Sequence, residues 1–386
     1  MIKRDAEKEL RSLAKQFKAV AITGPRQSGK TTLAKYVFGS LPYVNLENPD
    51  SRRYAIEDPR GFLKEYSGGA VLDEVQRTPE LFSYLQQILD EDKAKGRFIL
   101  TGSNNFMIQE NISQTLAGRI AYLNLLPFVI SELTPGDVGD LNDRILIGCY
   151  PPVFDQKIDF DKWYPNYIRT YIERDVRLIR NISNLDLFGK FLKLCAGRTG
   201  QLLNVNSIAI EVGADNKTIT SWLGLLENSF IIFRLFPHHR NFNKRIVKMP
   251  KLYFYDSGLV CSLLGIRQEE QLKLHPLYGN IFETFVVSEI RKHLFNRGIQ
   301  SGLYFWRDNT GHEIDLLIES GNRLLPVEIK SGQTITQDFF KPVEYWKKLS
   351  GTNECVIVHA GNNSQRRTSG TQVITWRGIH KIIPGF

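Results

Sequence analysis

Apolar residues in the first third of the chain follow two rhythms. Short β-rich, largely apolar runs at residues 17–23, 43–46, 70–72 and 98–100 predict strands. Between the last two, Leu81, Phe82, Leu85, Ile88 and Leu89 recur at helical spacing, and residues 31–38 read as the start of another helix. Strands alternating with helices predict an α/β fold with a parallel sheet covered on both faces. After about residue 136 the strand pattern fades. Residues 163–182 read as a long helix with interleaved charge. Residues 207–213 and 215–226 read as two helices around a glycine-containing turn, the second capped by Asp215, with a strand at 230–236. A helix-turn-helix followed by a hairpin is the winged-helix arrangement. From about residue 275 mixed α/β patterning returns, with a helix at 281–295 and strands at 303–306, 313–318, 323–330 and 355–358. The expected domains are 1–135, 136–255 and 256–386.

Composition narrows this picture slightly. A chain of 386 residues accommodates two to three domains. With 42% hydrophobic and 24% charged residues it is not a disordered tail. Fifty Lys and Arg against 41 Asp and Glu give a formal charge of +9, which favours polyanionic partners. The N-terminus has no signal-like apolar core, and no apolar run approaches the length of a membrane span. Cys149, Cys195, Cys261 and Cys355 are far apart and form no C-x-x-C pair, so reduced thiols in a cytoplasmic protein without a membrane anchor are expected.

The sharpest chemical signal follows the first strand. Gly24, Pro25, Arg26, Gln27, Ser28, Gly29, Lys30 and Thr31 fit G-x-x-x-x-G-K-[ST], with a strand before and a helix after. Glycines let such a loop curl its N–H groups around phosphates, and the helix N-terminus adds a favourable dipole. Lys30 is expected to reach the β- and γ-phosphates of ATP and Thr31 to bind Mg²⁺, with Thr32 beside it. The apolar strand at 70–72 ends in Asp73 and Glu74: Asp73 is expected to hold Mg²⁺ and Glu74 to polarise the attacking water. Ser103 or Asn104, after the strand at 98–100, is a candidate γ-phosphate sensor, with a plain turn as the alternative. Arg119 is a candidate arginine finger acting on a neighbouring subunit, with a helix-end salt bridge as the alternative.

These stretches, with residues 170–177 and 253–265, resemble a bacterial and archaeal group of AAA-superfamily ATPases whose C-terminal half is a domain of unknown function. The resemblance covers most of the chain. It implies an AAA-type ATPase core, a winged-helix element and a nuclease-like tail.

Near the C-terminus, strand alternation places Ile314 and Leu316 on one face and Glu313 and Asp315 on the other. On the next strand Val327 and Ile329 face inward, with Glu328 and Lys330 outward. Gathering Asp315, Glu328 and Lys330 resembles the D…E-x-K core of PD-(D/E)xK nucleases, in which two carboxylates bind Mg²⁺ and the lysine orients water. Glu283, on the preceding helix, matches the extra acid many such nucleases carry. The alternatives are a solvated face with a Glu328–Lys330 salt bridge, or a nuclease-derived binding module. Lys217, Thr218, Thr220 and Ser221 would face a DNA groove, and Arg234, Arg240, Lys244, Arg245, Lys248 and Lys251 would contact phosphates from the wing. The alternative is a winged helix used for packing. His238 and His239 read as loop surface. Together these features predict an ATP-hydrolysing motor or switch, assembled as a homo-oligomer, whose C-terminal half acts on or clamps nucleic acid, DNA being the expected polymer. The alternatives are an ATP-gated Mg-dependent nuclease, or a nucleotide-dependent interaction switch with an inactive nuclease-like fold.

Overall fold

The computed structural model describes residues 2–91, 93–102, 116–172, 185–238 and 248–383. Two compact units emerge. One comprises residues 1–128 with 228–230 and 294–299, the other 129–227, 231–293 and 300–386. The middle and C-terminal segments therefore share one unit.

The first unit carries a parallel sheet of β1 (Ala19–Thr23), β2 (Tyr43–Asn45), β3 (Ala70–Asp73), β4 (Phe98–Thr101) and β5 (Ile120–Asn124), in the order β2-β3-β4-β1-β5. Every residue of β1 is buried, so its apolar run is continuous rather than alternating. Its residues still divide by parity. Ala19 and Ala21 join one core with Phe62, Phe82 and Leu85; Val20 and Ile22 join the other with Leu10, Leu33 and Ala34. Helices cover both faces, as the alternation of elements predicts. The strands read from the apolar pattern do not include β5, a short run of four apolar residues before Asn124.

In the second unit, helix Phe160–Tyr167 opens the segment expected to be a long helix and widens into a π-helical turn at Ile168–Ile172. Residues 173–184 of that expectation lie outside the described residues. Helix Leu185–Ala196, strand β6 (Gln201–Leu202), helices Val205–Val212 and Asn216–Asn228, β7 (Ile232–Leu235) and β8 (Lys251–Phe254) follow in order. The three strands form an antiparallel sheet, β6-β8-β7. Asp215 caps the helix from Asn216, accepting from the Thr218 N–H at 2.8 Å. Trp222 packs its ring against Phe188 and Phe191, each at 5.3 Å, which ties the second helix of the pair to Leu185–Ala196.

A second sheet holds β9 (Leu303–Arg307), β10 (Glu313–Ser320), β11 (Arg323–Lys330), β12 (Cys355–His359), β13 (Gln365–Arg366) and β14 (Thr371–Thr375), in the order β13-β14-β12-β11-β10-β9. Its pairing is mixed: β9, β10 and β11 run antiparallel, and β11, β12 and β14 parallel. One face packs on helix Lys341–Ser350 through Trp306, Ile314, Leu317, Val343 and Trp346. Ile314 shares that core with Leu317, not with Leu316 as strict alternation predicts. A bulge between Ile314 and Leu317, opposite β9, resets the parity.

Candidate nucleotide site and an acidic cluster

The loop after β1 is built from close approaches. A Cβ on Gly24 would stand 2.0 Å from the Leu125 carbonyl oxygen, so only glycine lets the chain pass beside β5. Gly29, at φ 92°, occupies the left-handed region where the loop enters helix Lys30–Val37. Gln27 is left-handed too, at φ 61°. Such a curl presents backbone N–H groups to an anion at a helix N-terminus. Lys30 is only 7% exposed, and its ammonium donates to the carbonyls of Gly24 (3.0 Å) and Pro25 (2.7 Å). Ser28 is buried, whereas Arg26 is half-buried and Gln27 and Thr32 are exposed.

The parallel register brings β3 beside this loop. Asp73, 6% exposed, accepts from the Thr31 hydroxyl at 2.9 Å. It also accepts from the Tyr43 hydroxyl at 2.7 Å and from the Thr101 hydroxyl. Burial, then the hydrogen bond to Asp73, raises the Tyr43 pKa, so its hydroxyl stays a donor. Thr31 and Asp73 are hard oxygen donors lying together at the mouth of the loop, a set that suits Mg²⁺. Glu74 stands next, left-handed at φ 55°, with its carboxylate accepting from the Gln76 amide.

Sequence reasoning missed three residues here. Tyr43 and Thr101 hold Asp73; each sits at a strand end, which is the signal that could have found them. Arg4 is buried below the loop, donating to the carbonyls of Ser28 and Leu126 at 2.7 Å each, with Phe128 against its guanidinium at 4.8 Å. Nothing near Arg4 in the sequence marks it. Ser103 and Asn104 lie outside the described residues. Arg119 precedes β5, at the sheet edge where Ile120 pairs with Ala19, and binds the Asp90 carboxylate, its Nη2 at 2.9 Å from Oδ2. The helix-end salt bridge is the reading it matches.

In the second unit the predicted acids do converge. The register Leu316↔Val327 sets Asp315 beside Glu328, and the Ile329 N–H donates to Asp315 Oδ2 at 2.8 Å. Glu328 is 3% exposed, so the face expected to be outward is a buried polar one. Lys330 pairs with Glu328 Oε1 at 2.6 Å. The decisive addition is Lys251 from β8, expected on the wing but only 3% exposed. Its ammonium meets Glu283 Oε1 at 2.9 Å, contacts Glu313 and lies 3.9 Å from Asp315. Tyr253, also on β8, donates to the same Glu283 oxygen. Burial opposes the Lys251 charge, but Tyr253, Glu283, Asp315 and Glu313 outweigh it and hold its pKa well above the ordinary lysine value. Burial first, then Glu328 and Glu283, pushes Asp315 well above the usual carboxylate range. Burial raises Glu328 to about 7 against the pull of Lys330. Among the described residues no group of three His, Cys, Asp or Glu is arranged to hold a metal ion. The cluster as folded does not fit Mg²⁺, because an ammonium already stands among its carboxylates.

The expected nucleic-acid face is only partly exposed. Lys217, Thr220 and Lys248 are exposed, but Thr218 spends its hydroxyl on Asp215 and Thr220 donates to the Asn216 carbonyl at 2.7 Å. Ser221 is half-buried. Arg234 pairs with Glu227 through two bonds of 2.6 and 2.8 Å. Arg240, Lys244, Arg245 and His239 lie outside the described residues. His238 is not loop surface but buried, with Nε2 3.3 Å from Glu319. All four cysteines are buried and free, and no helix among the described residues is long and apolar enough to cross a membrane.

The parallel sheet and its glycine loop define a P-loop domain, and a family described as an AAA domain matches residues 16–134. Two domains of unknown function match the remainder: DUF8612 at residues 138–270 and DUF4143 at 278–379. The uncharacterized proteins Rv2008c of Mycobacterium tuberculosis and Mb2031c of Mycobacterium bovis are each 33% identical to the chain over 339 residues, covering 86% of it and 74% of their own length. The chain belongs to the family of these mycobacterial proteins. Among solved structures, a Walker-type ATPase of Pyrococcus abyssi aligns over 68% of this chain and 96% of its own, with 13% identity and a TM-score of 0.45.

Proposed function

We propose that the protein hydrolyses ATP and uses that step to set the grip of its C-terminal half on nucleic acid. The observation that carries the first part is the pairing of Thr31 with Asp73 at the mouth of a curled, lysine-bearing loop. The backbone N–H groups of residues 26–31 bind the phosphates. Lys30 exchanges its two loop carbonyls for phosphate oxygens. Thr31 and Asp73 would hold Mg²⁺, which when bound would supply positive charge to the phosphates. Tyr43 and Thr101 keep Asp73 in place. Glu74 takes the proton of the attacking water, oriented by its bond with Gln76.

The second part rests on element order and charge. Three helices, a short strand and a two-stranded hairpin follow the winged-helix order. Lys217 and Thr220 are exposed on the second helix of the pair, Lys248 lies just before β8, and the chain carries a net +9. The six-stranded sheet, with its carboxylates neutralised by lysines, serves as a nuclease-like scaffold that holds without cutting.

ATP turnover measured with and without single- and double-stranded DNA tests both parts. Turnover rises with DNA, and DNA affinity falls steeply with salt as phosphate contacts require. Turnover indifferent to DNA, with binding indifferent to salt, removes the clamp. Absence of any heat on mixing ATP and Mg²⁺ with the folded protein removes the hydrolase.

A further inference from the structure

Four carboxylates, from Glu283, Glu313, Asp315 and Glu328, converge in the second unit, and three cations are distributed among them. Lys251 reaches Glu283, Glu313 and Asp315; Arg307 holds the far oxygen of Glu313 at 3.1 Å; Lys330 holds Glu328. Asp315 Oδ2 is taken by the Ile329 N–H. Lys251 enters from β8, the last strand of the three-stranded sheet, while two of its partners lie on β10 of the six-stranded sheet. It is the one cation that bridges the two sheets, among the described residues. The Phe305 ring lies 5.6 Å from its ammonium, and Tyr253 closes the Glu283 side. Glu328 Oε2 is buried with no hydrogen-bond partner.

We infer that the Lys251 ammonium is the resident cation of this cluster, a tethered ion that stands where a divalent metal would and fastens β8 to β10. The chain with Lys251 therefore binds no Mg²⁺ or Mn²⁺ there, and the chain without it does. An ammonium donates hydrogen bonds of about 2.8–2.9 Å to carboxylates, whereas Mg²⁺ needs oxygens at about 2.0–2.1 Å. A divalent ion admitted beside Lys251 would meet its charge at contact distance in a buried site. Removing the ammonium leaves Glu283, Glu313 and Asp315 around a vacated position, with Glu328 beside Asp315, an all-oxygen set of the kind hard cations take. This inference is independent of ATP hydrolysis, since it concerns residues of the second unit alone.

The experiment is a Mn²⁺ titration of the full chain, followed by loss of the free-ion electron paramagnetic resonance signal. Lys251→Ala is expected to bind one Mn²⁺ per chain more than the parent, and adding Asp315→Asn removes that ion. Saturating Mn²⁺ raises the melting temperature of Lys251→Ala by on the order of 5 °C and leaves the parent unchanged at this site. In the parent, Asp315→Asn leaves Mn²⁺ binding unaltered. Lys251→Met combined with Glu313→Gln removes one charge of each sign, which guards against an unfolded single variant; it also binds the additional ion. The idea is overturned if the parent binds Mn²⁺ in a manner that Asp315→Asn abolishes. It is equally overturned if both folded variants lacking the ammonium bind no more Mn²⁺ than the parent.

Discussion

Two buried groupings of lysine and acid, one in each unit, are held by opposite means. In the phosphate loop, Lys30 rests on two neutral carbonyls and Asp73 on three neutral hydroxyls. In the C-terminal cluster, Lys251 rests on carboxylates. The difference matters because a hydrogen bond between an ion and a neutral group contributes about 1.5–3 kcal/mol net, and a ligand's own oxygens or a metal ion can take its place without leaving a charge uncompensated. Removing one partner of a buried ion pair costs about 3–5 kcal/mol, since the other charge is left uncompensated. The first grouping is poised to open for a phosphate chain; the second is locked. Similar residue types give a binding site in one place and a fastener in the other, according to whether their partners carry charge.

The largest test of this contrast is at the loop. Glu74→Gln keeps the hydrogen-bonding shape but cannot take a proton, so turnover is expected to fall about 10²–10⁴-fold while ATP affinity is retained. Lys30→Ala shows the complementary loss, in affinity, by calorimetry. Parental turnover in Glu74→Gln would remove Glu74 from the reaction. At the cluster, Lys251→Met is expected to lower unfolding free energy by about 3–5 kcal/mol in urea. A loss under 1 kcal/mol would mean that Lys251 is no fastener, and the contrast between the two sites would go with it.

A smaller effect follows from Glu328. Burial lifts its pKa from the ordinary carboxylate value to about 7, with Glu283 and Glu313 adding to the rise and Lys330 opposing it. Its folded-state pKa is thus above its unfolded one, so the folded chain binds the extra proton. The stability this brings is fully present below the unfolded value and lost as pH rises through about 7. Glu328→Gln, which is neutral at every pH, should match the parent near pH 4 and become the more stable chain at pH 8. Chemical denaturation at the two pH values measures the crossover; parallel pH profiles would show that Glu328 ionises alike in both states.

The phosphate loop was legible because its chemistry depends on neighbours in sequence: two glycines, a lysine and a threonine in a fixed spacing between a strand and a helix. Asp73 and Glu74 were legible for the same reason, as the end of an apolar run. The acids Glu283, Asp315 and Glu328 were found through strand parity and family likeness, although the bulge in β10 breaks the parity at Leu316. Lys251 was misread because its role depends on a partner strand more than sixty residues away, and an isolated lysine after a basic run looks like surface. Arg4 was invisible for a related reason: a guanidinium under a loop is defined by the carbonyls it meets, at Ser28 and Leu126, not by its own surroundings. Arg119 shows the converse, a motif-like position whose salt bridge with Asp90 is decided by which edge of the sheet it occupies.

The finest test concerns how firmly Asp73 must be held. Tyr43→Phe removes one charge-assisted hydrogen bond to its carboxylate and keeps the ring, leaving Thr31 and Thr101 as donors. The loss is about 1.5–3 kcal/mol, or roughly a ten- to hundredfold change. If Asp73 acts through Mg²⁺, that change falls on the Mg²⁺ concentration needed for half-maximal turnover, with the rate at saturating Mg²⁺ nearly unchanged. Thr101→Val should behave alike, because it removes a donor from the other oxygen of the same carboxylate. If either variant instead lowers the saturated rate and leaves the Mg²⁺ requirement untouched, the hydroxyls support the reacting water rather than the ion, and Asp73 is not the metal-holding residue.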